Sequence, residues 1–369
     1  MTVMRRSGWL AGSLGITLLT AMRLFAQTPS PALLVLEKGD DSLLIVDPAT
    51  LKIVARVPAG QDPHEVIASD DGRFAYISNY GGDGSTFHTI SVVDLTALAA
   101  RPPIDLGALR SAHGLAMAGG ELYFTAETSK VIGRYDPTLQ RIDWILGTGQ
   151  DRTHMIAVAK SLDRIVTANV SSGTISIIEQ TTPAAGVAPR SVASVASGAA
   201  PPPGAIRPAA TARQTWMITN VRAGNGSEGF DVTPNGREVW VANAKDATVT
   251  IIDVTAKKVL QTISISVKGA NRLKFTPDGK RALISGLGDK DVSAGANLAV
   301  LDVATRKEVK LLSLGGGAAG ILVAPDGVRA YVAVSAIGRI AVVDLKDLKV
   351  IDQIATGKGP DGLAWAVRK

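Results

Sequence analysis

The stretch SEGFDVTPNGREVWVANAKDATVTIIDVTAKKVLQTISIS, residues 227–266, contains one complete copy of a unit that recurs along the chain. In order, it comprises an apolar strand (229–233), a Pro-Asn-Gly-Arg turn (234–237), a second strand (238–243), a third strand ending at Asp253 and a fourth strand (259–265). Short apolar strands separated by Gly, Asn and Asp turns are typical of consecutive β-hairpins. The unit therefore predicts a four-stranded antiparallel meander.

The third strand is the most regular part of the repeat. Its copies are SLLIVDP (42–48), TISVVDL (89–95), VIGRYDP (131–137), TISIIEQ (174–180), TVTIIDV (248–254), NLAVLDV (297–303) and RIAVVDL (339–345). A period of about 40–50 residues is typical of propellers and solenoids. Seven copies predict an all-β fold, a seven-bladed β-propeller with four antiparallel strands in each blade.

The two ends of the chain are complementary parts of one repeat. Residues 360–365, PDGLAW, match a first strand with nothing after it, whereas the segment from Leu33 supplies only second, third and fourth strands. We therefore expect one blade to contain strands from both termini. Such closure removes the open sheet edge that an incomplete ring would expose. An open solenoid of the same repeats is the alternative.

The N-terminal segment 1–26 has the features of a secretory signal peptide. Arg5 and Arg6 precede an apolar run (9–22), and Ala26 offers a small residue for cleavage before Gln27. The run is shorter than the about 20 residues that a membrane helix needs, although an uncleaved anchor is the alternative. We expect a periplasmic or secreted protein without a transmembrane segment in its mature chain, a monomer formed by one propeller domain (27–369).

Composition restricts the partners that this chain can have. Cleavage after residue 26 lowers the formal charge from +6 to +3, and the remaining Lys and Arg are interspersed with acids, so we expect no nucleic-acid binding. The chain contains no cysteine, which excludes disulfides, thiolate metal sites and a covalently attached c-type haem. Residues 181–213 are rich in Ala, Pro and Ser and lack acids, which predicts a flexible loop within the propeller.

The repeat resembles that of a known family. The matching copies are RFAYISN (73–79), EVWVAN (238–243) and RAYVAV (329–334), with Pro-Asp-Gly turns at 277–279 and 325–327. Over essentially the whole mature chain this pattern is similar to the YVTN/YncE-like family of exported seven-bladed propellers, which is related to lactonase-type, carboxymuconate-lactonizing and haem d1-type propellers. The resemblance implies the fold and an exported location. It leaves the function open, because one propeller fold hosts many activities.

Three of the four histidines occupy the same position of the repeat. When first strands are aligned on the turn that follows, His64, His113 and His154 coincide in three consecutive blades. The other blades carry Glu228, Asn271, Ala319 and Asp361 at this position. First strands line the channel of a propeller, so we expect these side chains to form one axial funnel. His88, Tyr80 and Arg222 lie in loops of the same face and are further candidates for ligand binding.

This combination of residues supports several hypotheses. A small-molecule or extended ligand binds in the funnel, contacting His64, His88, Tyr80, Arg222, Asn271 and Asp361. Alternatively, the protein is a lactonase-type hydrolase or cycloisomerase in which His154 and Glu228 are acid and base and His113 assists. A third hypothesis is a divalent metal or haem held by His64, His113 and His154. Histidines at this position can also be structural, bonding to the backbone of neighbouring blades.

The resemblance to carboxymuconate-lactonizing propellers implies a more specific catalytic set. It combines His154 and Glu228 with an arginine, either Arg222 or Arg272. Arg272 directly follows the channel residue Asn271, and side chains alternate between the two faces of a strand. We therefore expect Arg272 to point away from the axis.

Overall fold

The computed structural model describes residues 28–82, 84–181, 215–288 and 297–369. The predicted signal peptide lies outside the described residues, as does nearly all of the predicted loop at 181–213. The described residues form seven four-stranded sheets, together with two short 3-10 helices, Lys38–Asp40 and Ser335–Ile337. Within these ranges no helix has the length and apolar character needed to cross a bilayer.

The first four blades are described here from the inner strand outward. Blade 1 contains β28 (Pro360–Ala366), β1 (Ala32–Glu37), β2 (Ser42–Asp47) and β3 (Lys52–Pro58). Blade 2 contains β4 (Pro63–Ala68), β5 (Phe74–Asn79), β6 (Thr89–Asp94) and β7 (Ala99–Asp105). Blade 3 contains β8 (Ala112–Ala118), β9 (Glu121–Ala126), β10 (Val131–Asp136) and β11 (Arg141–Gly147). Blade 4 contains β12 (Thr153–Val158), β13 (Arg164–Asn169), β14 (Thr174–Thr181) and β15 (Thr215–Arg222).

The remaining three blades follow the same order. Blade 5 contains β16 (Ser227–Val232), β17 (Glu238–Asn243), β18 (Thr248–Asp253) and β19 (Lys258–Ser264). Blade 6 contains β20 (Ala270–Phe275), β21 (Arg281–Gly286), β22 (Leu298–Asp302) and β23 (Lys307–Leu312). Blade 7 contains β24 (Ile321–Val323), β25 (Arg329–Val334), β26 (Arg339–Asp344) and β27 (Lys349–Ala355). All pairings within the blades are antiparallel, and the predicted seven-bladed propeller is confirmed.

Blade 1 closes the ring with strands from both ends of the chain, as expected. β28 pairs antiparallel with β1 and places Leu33 opposite Trp365 and Val35 opposite Leu363. Leu33 and Val35 are fully buried and pack against blade 7. On its other side, blade 1 packs Leu34, Leu36 and neighbouring apolar residues against blade 2. Apolar burial between blades therefore holds the two ends of the chain together.

The aspartate that recurs at the end of the third strand has a local role. In blade 1, the Asp47 carboxylate accepts a hydrogen bond from the backbone N–H of Ala49, 2.9 Å away. Asp253 and Asp344 accept in the same way from Ala256, at 2.6 Å, and from Asp347, at 2.7 Å. An aspartate that bonds to the backbone two or three residues later stabilises a turn. The repeated Asp thus marks the hairpin between the third and fourth strands in six blades, whereas blade 4 has Glu179 at this position.

Each inner strand begins on one face of the propeller, which we call the funnel face. In six blades the register between inner and second strands shifts at this point, for example between Ser227 and Phe230 of β16. Such a bulge turns consecutive side chains in directions that simple alternation does not give. The predicted first strand 229–233 accordingly begins earlier, at Ser227, which pairs with Asn243 before the bulge.

Glycine follows the channel residue in four of the seven blades. A Cβ atom added to Gly114, Gly229, Gly320 or Gly362 would lie 2.1–2.4 Å from a backbone carbonyl oxygen of the next inner strand. These glycines therefore permit close contact between neighbouring inner strands. The other three blades carry Glu65, Met155 and Arg272 at this position. Two charged side chains are thus introduced next to the channel.

Candidate functional site

His64, His113 and His154 lie side by side at the start of β4, β8 and β12. The ring centroids of His64 and His113 are 5.1 Å apart, and those of His113 and His154 are 3.6 Å apart. Tyr80, the residue after β5, lies edge-on to both His64 and His113 with centroid distances of 4.8 Å. Their repeat position therefore brings the three histidines together, and Tyr80 joins them.

Two carboxylates hold the imidazole of His154. Its Nδ1 atom contacts Oε1 of Glu127, which follows β9, and its Nε2 atom lies 3.0 Å from Oε2 of Glu228 on β16. Glu127 also accepts a 2.6 Å hydrogen bond from the hydroxyl of Tyr80, and its Oε2 lies 3.4 Å from Nε of Arg152. His154 and Glu127 are 3% and 2% exposed. This is a buried ionic network that joins blades 2 to 5.

The network shifts the pKa values of two adjacent histidines, His154 and His113, in opposite directions. Burial opposes the charging of His154, but the charges and hydrogen bonds of Glu228 and Glu127 outweigh it and raise its pKa. Burial of Glu228 likewise opposes its ionisation, yet His154 holds the pKa of this carboxyl at about 2. The pKa of His113 is lowered well below its usual value by burial and by the charge of His154. Protonation is therefore favoured at His154 and disfavoured at the adjacent His113.

His113 has a buried ring nitrogen without a hydrogen-bond partner. His113 is 1% exposed, and its Nδ1 atom makes no hydrogen bond to any of the described residues. The potential ligand atoms of His113, Glu127 and His154 all lie within 4.8 Å of one another. A buried polar atom without a partner is costly, so this arrangement suits the binding of a cation.

His64 lies at the edge of this group, between two aspartates. Its Nδ1 atom is 3.4 Å from Asp361 of blade 1, and its Nε2 atom is 3.5 Å from Asp62. The Nε2 contact has ionic distance but lacks hydrogen-bond geometry. The pKa of Asp62 is lowered to about 2 by its interaction with His64, whereas burial raises the pKa of Asp361. His64 thus has its own carboxylate partners, separate from those of His154.

Arg272 does not point away from the axis, and that expectation is wrong. Its Nη2 atom donates to Oε1 of Glu65 on β4, and its Nη1 atom lies 3.1 Å from Oδ1 of Asn271. The bulge between Ala270 and Arg272 is the physical reason, because it lets Asn271 and Arg272 both face the channel. Arg272 and Glu65 thus form an ion pair between blades 6 and 2.

Two predicted ligand-binding residues lie apart from the histidine cluster. The side chain of His88 is 46% exposed, and its Nε2 atom is 3.8 Å from Asp105 on blade 2. Arg222 is exposed at the end of β15 and lines a separate polar pocket on the funnel face. Neither residue contacts His113 or His154. The channel position of blade 7 is Ala319, which adds no polar group.

Asp62, Glu65, Glu127 and Arg152 were not identified from the sequence. Glu127 occupies the repeat position of Tyr80, directly after the second strand, so aligning the ends of second strands would have found both. Asp62 and Arg152 lie two residues before the channel histidine, with φ angles of 46° and 52°. Gly226, Gly269 and Gly359 occupy this left-handed position in three other blades.

A side chain at a left-handed position costs about 1–2 kcal/mol relative to the ordinary conformation, whereas glycine adopts it freely. The blades that carry the three histidines have Asp62, Ser111 and Arg152 there, with φ between 46° and 59°. Asp62 contacts His64, and Arg152 contacts Glu127. Strained positions of this kind often belong to functional sites, where the side chain is needed.

Comparisons with known proteins reveal the fold of this chain. No protein-family model matches the sequence, and no curated protein matches it. One similar structure is the hydrazine synthase of Kuenenia stuttgartiensis, with a TM-score of 0.63 and 16% identity over 82% of this chain and 89% of that chain. Another is a functionally unknown protein from Desulfotomaculum acetoxidans DSM 771, with a TM-score of 0.67 and 12% identity over 92% of this chain and 100% of that chain. At these identities the similarity establishes a shared fold.

Proposed function

We propose that this propeller binds a divalent transition-metal ion in its funnel through His113, Glu127 and His154. The observation that carries this proposal is the buried Nδ1 atom of His113, which has no hydrogen-bond partner among the described residues. His113 is one of three residues whose potential ligand atoms lie within 4.8 Å of one another. Ligands of a tetrahedral site are about 3.4 Å apart, so small side-chain rotations suffice.

The donor set and its surroundings favour a transition metal. Two imidazoles and one carboxylate suit Zn²⁺ or Fe²⁺ better than Ca²⁺ or Mg²⁺, which prefer oxygen ligands. Tyr80 and Arg152 contact Glu127, and Glu228 contacts His154, so polar neighbours orient two of the three ligands. Such outer contacts raise the affinity of protein metal sites. Metal binding would release the proton of His154.

The ligand set His64, His113 and His154 remains a competing hypothesis for this site. The two sets differ in whether Glu127 or His64 is a ligand. His64 has two aspartate neighbours, Asp361 and Asp62, and these suit it to contact a ligand at the edge of the funnel. Variants of His64 and Glu127 therefore distinguish the two sets.

Metal analysis of protein purified without a histidine tag tests the proposal. We expect the metal-stripped wild type to bind one Zn²⁺ or Fe²⁺ per chain in equilibrium titrations. Mass spectrometry then measures the amount of metal bound to each chain. His113→Ala and Glu127→Gln should each lower the affinity at least tenfold, whereas His64→Ala and the exposed control His88→Ala should retain it. A wild type that binds no metal, or a Glu127→Gln variant that binds normally, would contradict the proposal.

Acid–base chemistry on a lactone is the second candidate function. The supporting observation is that His154 lies between Glu127 and Glu228, with its Nε2 atom 3.0 Å from the latter. A histidine oriented by one carboxylate and facing another can transfer protons in the opening or closing of a lactone ring. His113 would assist as the neutral neighbour. If a panel of lactones is hydrolysed equally well by His154→Gln, Glu228→Gln and the wild type, this candidate is eliminated.

Ligand binding and export complete the proposed function. A small or extended ligand would bind in the funnel from the funnel face. Such binding is detected as a ligand-dependent shift of the melting temperature. The Arg5, Arg6 and apolar pattern of the N-terminal segment supports export to the periplasm or beyond, and a monomer is proposed for the exported chain. Cell fractionation and N-terminal sequencing test this, with Gln27 expected as the first residue. A cytoplasmic chain with an intact N-terminus would refute export.

A further inference from the structure

A polar pocket of about 480 Å³ opens on the funnel face between blades 4 and 5. Its walls come from the β13–β14 loop, the β15–β16 connection and the β17–β18 loop. The polar side chains that line it include Ser171, Ser172, Arg222, Lys245 and Asp246. Three separate connections therefore place hydroxyl and cationic groups around one cavity.

The two cations of this pocket form no salt bridge with any described residue; the charge of Arg222 lowers the pKa of Asp246, but less than the hydrogen bonds from Asn225 do. Among the described residues, neither Arg222 nor Lys245 has a carboxylate oxygen within 4.0 Å or a side-chain hydrogen bond. By contrast, Arg164 and Arg306 pair with acids at 3.0 Å and 2.7 Å. Both cations are exposed, and the pocket brings them together.

Asp246 is the acidic group in the pocket wall, and it is already engaged. Its carboxylate accepts hydrogen bonds from the backbone N–H of Asn225, at 2.7 Å, and from the side-chain amide of Asn225, at 3.0 Å. Two cations therefore face one carboxylate whose oxygens are occupied by neutral donors. The pocket retains a net positive charge and unused donors.

We propose that this pocket binds an oxyanion, specifically the phosphate group of a small ligand. Arg222 supplies a planar fork of donors and Lys245 a point charge, a combination that suits phosphate oxygens. Ser172 accepts a 2.8 Å hydrogen bond from the backbone N–H of Asp151, which leaves its own hydroxyl proton to donate. Ser171 adds a second hydroxyl to the wall.

The pocket lies next to the metal site but shares no ligand with it. Gly226 lines the pocket and precedes Glu228 by two residues, and Glu228 contacts His154 at 3.0 Å. A ligand anchored here by its phosphate group extends toward the funnel. The phosphate site does not depend on the proposed metal, because none of His113, Glu127 and His154 belongs to its wall.

Calorimetric titration of chelator-treated, metal-free full chain with inorganic phosphate at low ionic strength tests this site. We expect saturable binding to one site, with affinity at least about tenfold lower in Arg222→Gln and in Lys245→Gln, since a charged hydrogen bond is lost in each. The matched control is Arg237→Gln, which removes an exposed arginine on the opposite face that forms no salt bridge with a described residue; this variant should bind phosphate as the wild type does.

Two results would overturn the proposal. One is a wild type that gives no saturable phosphate binding. The other is equal weakening in Arg237→Gln and Arg222→Gln, which would indicate unspecific attraction to a basic protein. Since metal is removed beforehand, failure of the metal proposal leaves this measurement unaffected. Circular dichroism of each variant verifies that the propeller has folded.

Discussion

Arg272 on β20 pairs with Glu65 on β4, 207 residues away in the sequence, through a hydrogen bond from its Nη2 atom. The inner strands of the blades contact one another in ring order, and blades 6 and 2 are not neighbours, so this pair spans the central channel. The side chains of Arg272 and Glu65 are 7% and 14% exposed. Blades 6 and 2 are therefore joined across the central channel by a largely buried ion pair.

We expect Glu65→Gln to lower the free energy of unfolding by about 3–5 kcal/mol, because it leaves the buried charge of Arg272 without its partner. The double variant Glu65→Leu with Arg272→Met should recover most of this loss, since no buried charge remains. Urea unfolding measures both. The exposed pair Lys349–Asp347 supplies the control, and a Glu65→Gln effect as small as that of Asp347→Asn would refute a stabilising role.

His113→Leu should stabilise the metal-free protein by about 1 kcal/mol, because it replaces a buried nitrogen without a hydrogen-bond partner by an apolar group of similar size. His154→Leu should instead destabilise by about 3–5 kcal/mol, since Glu127 and Glu228 would lose their cationic partner. Chemical unfolding in the presence of a chelator compares the two variants. A strongly destabilised His113→Leu variant would favour a structural role for this histidine.

Gly362→Ala should weaken the contact between blades 1 and 2. The added Cβ atom would lie 2.4 Å from the carbonyl oxygen of His64. Because this oxygen belongs to the backbone, it cannot move aside as the end of a flexible side chain could. We expect a loss of about 1–3 kcal/mol in the free energy of unfolding, the range found for overpacked cores. Gly147→Ala is the matched control, because nothing lies within 4 Å of its added Cβ. Equal stability of the two variants would be inconsistent with close packing at Gly362.

Alkaline pH should destabilise the protein through its buried tyrosines. Burial raises the pKa of Tyr76 to about 12, above the unfolded value of about 10. The folded state therefore retains this phenol proton, and its contribution to stability is complete below about pH 10 and lost by about pH 12. Tyr76→Phe should make the unfolding free energy less dependent on pH in this range. An unchanged slope in urea unfolding between these pH values would contradict the prediction.

Among the residues around His154, the repeat alignment predicted the neighbouring histidines but not Glu127. The alignment of inner strands predicts that His64, His113 and His154 share a position, and the structure places their rings in contact. Glu127 is absent from that alignment because it follows a second strand rather than starting a first one. It reaches His154 because β9 and β12 belong to adjacent blades, and the distance between blades is a property of the closed ring.

The sequence by itself determined the number of blades, the closure of the ring by both termini and the common face of three histidines. These features follow from turn residues and apolar alternation, which are local and repeat along the chain. The tertiary structure decided which groups meet: Glu127 with His154, Asp62 with His64, and Arg272 with Glu65. Those contacts depend on the bulges that redirect side chains and on the packing of seven blades around one axis, neither of which a repeat pattern specifies.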